Sequence, residues 1–112
     1  MPLNRLEQLL KLLQTEPKDS FLRYAIATEY VKLEEYQKAT GYYELLLKED
    51  ENYIGTYYHF GKLLEQLKQK EKAIEIYRKG MLVARKIGNN HAFSELQSIY
   101  NQAVGLNYEE ED

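Results

Sequence analysis

The stretch YYHFGKLL, residues 57–64, decides how this chain is read. Its apolar residues have the spacing of an amphipathic helix, yet Gly61 stands in the middle, where glycine costs about 1 kcal/mol relative to alanine. A helix that accepts this cost must gain from the missing side chain. Outward from Gly61 the helical spacing continues. Leu3, Leu6, Leu10 and Leu13 mark one face of the first segment, widened by Leu9 and Leu12. Ile26, Tyr30 and Leu33 mark a second face, and Ile74, Tyr77 and Met81 a third. No stretch alternates for long with period two, so strands are not expected.

The boundaries read as helix ends. Asn4 with Glu7 has the form of a capping box, Pro17 ends the first helix or opens the next turn, Asp19 or Ser20 caps the second helix and Asn52 the fourth. Gly88-Asn89-Asn90 is a stop followed by a new cap. Six helices are expected, at about 3–15, 19–33, 36–49, 53–67, 70–87 and 91–105. Their joints are short, so neighbours must pack antiparallel.

A period then emerges. At a separation of 34 residues Tyr24 meets Tyr58, Leu33 meets Leu67, Lys38 meets Lys72, Ala39 meets Ala73 and Tyr43 meets Tyr77. Ala27 meets Gly61, small against small, and Ile26 meets Phe60, large against large. Two helices per 34-residue unit mark a helical repeat array.

On these residues the chain resembles the tetratricopeptide repeat family, with repeats at 20–53 and 54–87. The second supplies Tyr57, Phe60-Gly61, Leu64, Ala73, Tyr77 and Gly80 at the family's pattern positions. The first supplies Ile26-Ala27, Tyr30, Ala39 and Tyr43. It departs at Arg23, where an aromatic is expected, and at Leu46, where a small residue is expected; Glu51 and Arg85 replace the family's terminal proline. The resemblance implies an all-α superhelical solenoid in which the small residue at Gly61 lets the two helices of a repeat approach. Ala27, Ala39 and Ala73 belong to the same packing pattern. By the same count Pro17 takes the terminal-proline position of a preceding repeat, and Leu9 and Leu12 its aromatic and small positions. The segment 3–15 is thus expected to be a half-repeat covering repeat one. The helix 91–105, with Phe93, Leu96, Tyr100 and Ala103 on one stripe, is expected to cover repeat two. The expected organisation is one domain over 1–107 and an acidic tail at 108–112.

Composition fits a globular chain of 112 residues, with 44% hydrophobic and 29% charged residues. There is no cysteine, hence no disulfide, thiolate metal site or cysteine nucleophile. The N-terminus lacks the order of a signal peptide and no apolar run reaches the ~20 residues of a membrane span, so a cytoplasmic location is expected. Net charge is −3; residues 57–108 are mildly basic, and Lys68, Lys70, Lys72, Arg78 and Lys79 read as solvated surface rather than a nucleic-acid stripe.

Catalytic groups are sparse. His59 and His91 form no metal-ligand pairing, no phosphate loop is present, and Ser20, Ser94 and Ser98 lack a nucleophile context. No catalytic residue, metal or cofactor is expected. The resemblance instead implies a concave groove lined by the first helix of each repeat. Carried over residue by residue, its positions are Phe21, Tyr24, Thr28, Val31 and Lys32, then Tyr58, His59, Lys62, Glu65 and Gln66. Tyr24 and Tyr58 would form a two-rung aromatic ladder for a peptide or helix of a protein partner, or else act as half-buried structural residues. Family members that clamp a chaperone's terminal carboxylate use a basic residue and asparagines; only Lys62 could serve here, so a complete clamp is not expected. The second expectation is a homo-oligomer formed through the groove or the last helix.

Overall fold

The structure, a computed structural model, describes residues 4–105. Among them are six helices and no strand: α1 (Arg5–Thr15), α2 (Ser20–Lys32), α3 (Tyr36–Glu49), α4 (Gly55–Gln66), α5 (Lys70–Ile87) and α6 (Asn90–Val104). Leu3 and the acidic tail lie outside the described residues. None of the six is long and apolar enough to cross a membrane.

The starts follow side-chain chemistry. Asn4 Oδ1 accepts from the Glu7 amide at 2.8 Å while Glu7 accepts from the Asn4 amide at 3.1 Å, a complete capping box. Asp19 and Asn89 accept from the Leu22 and Ala92 amides at 2.9 and 3.0 Å. Asn52 does not cap α4: tight turns from Asp50 to Tyr53 and from Tyr53 to Thr56 delay the helix until Gly55.

The joints α2–α3 and α4–α5 share one backbone design. Glu34 and Lys68, 34 residues apart, both take left-handed φ values of 61° and 66°. In each, the next amide reaches back five residues, Glu35 to the Tyr30 carbonyl and Gln69 to the Leu64 carbonyl, at 2.9 and 2.8 Å. This ending satisfies carbonyls that the last helical turn would leave bare. The period is therefore written in the backbone as well as in the side chains.

The described residues group into two compact units that divide between Thr56 and Tyr57. In the first, α1 and α3 both pack on α2. Leu9, Leu22, Ala25 and Ile26 form a core with Leu6, Leu10, Leu13, Tyr30 and Tyr42 against it. Two sequence expectations change here. Leu12 is 53% exposed and Leu33 56% exposed, although both fall at apolar helical positions. Leu9 alone of the Leu9–Leu12 pair turns inward, and Leu33 is the C-cap residue of α2, beyond its last helical turn.

Arg23 is buried, with a side chain 8% exposed. Its guanidinium donates to the Pro17 carbonyl at 3.0 Å and to Glu49 at 2.9 Å. Ser20 Oγ donates to Asp50 at 2.5 Å beside it, so the start of α2 is tied to the end of α3. Burying a guanidinium is tolerable only with such partners.

In the second unit, α6 packs on α5. A Cβ at Gly61 would stand 2.6 Å from Tyr77 Cδ1, inside the space of a ring that is fully buried. The nearest neighbour of Gly61 is thus the Tyr77 ring itself. A Cβ at Gly80 would meet Tyr57 Cβ at 2.5 Å and Leu96 Cδ1 at 3.0 Å. Each glycine makes room for a tyrosine of the other helix, and ring contacts offset the propensity loss. Repeat one exchanges the second pair: the positions of Tyr57 and Gly80 hold Arg23 and Leu46, and Leu46 is fully buried. The two departures from the family pattern therefore belong together. A larger residue fills the space while the arginine reaches to Pro17 and Glu49.

Candidate functional site

The face of α4 opposite its core residues carries the candidate groups. Tyr57, Phe60, Leu63 and Leu64 are at most 2% exposed. Tyr58, Lys62, Glu65 and Gln66 follow at steps of four, three and one, which keeps them on one side of a helix. They face α6. A hollow of about 530 Å³ is lined by Lys62, Glu65, Gln66, Ile99 and Gln102. A second, of about 220 Å³, shares Lys62, Ile99 and Gln102 and adds Tyr58, Glu95 and Ser98.

The groups in these hollows differ in freedom. Tyr77 donates to Glu65 at 2.6 Å, which fixes the carboxylate against the repeat core. Burial, followed by this bond to the carboxylate, holds the Tyr77 hydroxyl far above the usual phenol range. Lys62 is exposed and carries the cation of the site. The Tyr58 and His59 rings meet edge to face at 5.5 Å. Desolvation pushes the His59 pKa below its ordinary 6.5; the Lys62 charge adds to this and the Glu95 charge opposes it.

In the first unit, Phe21 is 56% exposed on α2. Tyr24 is half-buried: its ring lies 5.6 Å from that of Tyr53, and Gly55 packs against it, so that an added Cβ would stand 3.4 Å from its Cε1. Burial followed by the Tyr53 neighbour raises its pKa. Thr28 turns its hydroxyl back to the Tyr24 carbonyl at 3.0 Å, with Tyr43 Oη at 3.5 Å. Val31 is half-buried, and Lys32 is exposed and pairs with Glu29 at 3.2 Å. Tyr24 and Thr28 thus have packing roles on α2, whereas Tyr58 lines a hollow.

The α6 residues Glu95, Ser98, Ile99 and Gln102 were not expected at the site. Their spacing of three, one and three gave a signal, but the stripe Phe93, Leu96, Tyr100 and Ala103 masked it. The buried residues of α6 are Leu96, Ile99 and Ala103. Phe93 and Tyr100 sit half-buried at the margin, with the Arg85 and Arg78 guanidinium groups 4.9 and 5.5 Å from their ring centres. Arg78 also donates to Tyr100 Oη at 3.3 Å. Among the described residues no group of three or more His, Asp or Glu side chains could hold a metal ion.

The comparisons add kinship. The tetratricopeptide repeat family model matches residues 54–87. No curated protein matches the sequence. A protein from Bordetella parapertussis, 20% identical, superposes with a TM-score of 0.79 over 92% of this chain and 90% of its own, a likeness of fold. The crystal structure of a tetratricopeptide repeat domain protein from Salinibacter ruber is 43% identical, with a TM-score of 0.74 over 80% of this chain and 100% of that one. The solution structure of a tetratricopeptide repeat domain protein from the same organism is 41% identical, with a TM-score of 0.77 over 86% of this chain and 97% of that one. A likeness this extensive at this identity places the present chain in the tetratricopeptide repeat family.

Proposed function

We propose that this protein is a non-enzymatic, cytoplasmic adaptor that binds a peptide segment or helix of another protein along the outward faces of its first-of-pair helices. The family is in general a protein-interaction fold. The observation that carries the finer reading is the pair of hollows between α4 and α6, which share Lys62, Ile99 and Gln102. They combine an aromatic wall at Tyr58, an apolar floor at Ile99, a cation at Lys62 and amide groups that can pair with a backbone. Such a mixture suits a peptide, whose side chains need pockets and whose main chain needs donors and acceptors. In the first unit, taken by itself, Phe21, Tyr24 and Thr28 are the proposed contacts on α2, with Phe21 the most exposed of them.

The test is capture of partners from native lysate by the wild type and by a Tyr58→Ala, Lys62→Ala variant, with circular dichroism verifying equal helix content. A partner retained by the wild type and lost from the variant supports the reading. An unchanged set of partners moves the site elsewhere. A second reading, self-association, draws on the exposed Leu82 and Ile87 of α5, which are 64% and 41% accessible. A monomeric mass in sedimentation at high concentration would remove it.

A further inference from the structure

Beyond Gly55, which opens α4, three described glycines stand in helix interiors, and the packing accounts for two of them. Gly61 and Gly80 make room for Tyr77 and Tyr57. Gly41, midway along α3, does not: a Cβ built there meets nothing within 4 Å. It has a helical backbone, so no left-handed φ requires glycine. The helix bears the propensity loss with no internal contact in return.

The backbone at Gly41 opens onto a hollow of about 370 Å³ in the first unit, on the side of α3 that lies toward α1. Leu13, Pro17, Tyr42 and Leu45 supply its apolar lining. Its charged lining is Lys38 and Arg23, with no carboxylate among the lining groups. Arg23 is held by Glu49, while Lys38 is exposed, its ammonium 5.6 Å from the centre of the Tyr30 ring. An uncovered helix backbone, apolar walls and a cationic edge suit one kind of occupant. We propose that this hollow docks a short segment of another protein carrying a bulky apolar side chain flanked by Asp or Glu. The apolar group enters over Gly41, where the missing Cβ permits close approach, and the carboxylates meet Lys38.

Among the described residues, a second copy of the chain offers such a segment in the exposed Leu33 followed by exposed Glu34 and Glu35. That contact would join two different surfaces of the same molecule, and a head-to-tail contact of this kind propagates unless its rotation closes a ring. A foreign segment has no such consequence. The hollow shares no lining residue with those between α4 and α6, so this proposal stands or falls independently of the function proposed above.

The experiment is selection of displayed random peptides of about twelve residues on the full chain, followed by fluorescence anisotropy of the enriched peptides. Expected are peptides with a large apolar residue beside Asp or Glu. Gly41→Leu should weaken them about tenfold or more. The same variant should unfold at a higher temperature, because leucine is the better helix former. Lys38→Glu should weaken them similarly and reduce their salt dependence. At an exposed position, it keeps the test decisive should leucine disturb α3. Tyr58→Ala, Lys62→Ala should leave their affinity unchanged. The proposal is overturned by enrichment of no such peptides, by binding that survives both hollow variants, or by loss of binding in the α4 variant. Self-association in sedimentation that is abolished by Gly41→Leu would likewise overturn it, by assigning the hollow to a second copy.

Discussion

Gly61 and Gly41 are the same residue in the same kind of element, and packing gives them opposite consequences. Gly61→Ala gains helix propensity of about 1 kcal/mol but drives a methyl into the Tyr77 ring. Overpacking of this sort costs roughly 1–3 kcal/mol, so net destabilisation is expected in urea unfolding. Gly41→Ala meets no neighbour and should stabilise by about 0.5–1 kcal/mol in the same measurement. Equal effects at the two sites would refute this account of both. His59 supplies a pH test. Its folded pKa lies below the 6.5 of the unfolded chain, mainly through desolvation. Its contribution to stability is therefore present above pH 6.5 and is lost as pH falls through the folded value. An NMR titration of the ring should give a midpoint below 6.5, moving up in Lys62→Ala and down in Glu95→Gln.

At the scale of elements, the repeat is a pair of helices closed by one left-handed residue and keyed by one ring-for-small exchange. Neither Glu34 nor Lys68 is suited to its φ, because a Cβ in that region crowds the following carbonyl. Lys68→Gly should raise stability by up to ~1 kcal/mol in chemical denaturation, and Lys68→Val should lower it. The exchange at Arg23 and Leu46 predicts coupling. Arg23→Tyr alone brings a ring where Leu46 already fills the core, and Leu46→Gly alone leaves a cavity. The double variant imports the Tyr57–Gly80 arrangement of repeat two, so its cost should fall short of the sum of the singles by roughly 0.5–3 kcal/mol. Strict additivity in a double-mutant cycle would mean that the two departures are unrelated. For α6, sequence spacing marked a face but not its centre. The Arg78 and Arg85 cations draw Tyr100 and Phe93 to the margin, and Ile99 takes the inner position.

At the scale of the whole molecule, α1–α2, α2–α3 and α5–α6 pack as neighbours in the chain, and α4 meets α6 across one intervening helix. Contacts so local require little loop closure before they form, so the main refolding phase should be complete within ~milliseconds in stopped flow. A dominant phase of seconds would contradict this. The helices, their caps at Asn4, Asp19 and Asn89, and the 34-residue register were legible because each depends on residues within a few turns or on identity at a fixed offset. The family followed from the same marks. Of the candidate site, the α4 face was legible as a helical spacing around Gly61. Its partners on α6 were not, since Glu95, Ser98, Ile99 and Gln102 join Lys62 only through the way α6 settles against the rest of its unit. Nor could spacing alone predict that Leu12 and Leu33 remain exposed, that Tyr24 is shared with Tyr53 and Gly55, or that Gly41 faces open space. Local order is encoded by hydrogen bonds and propensities along the chain; which side of each helix is covered depends on side chains distant in sequence, and only the tertiary structure decides it.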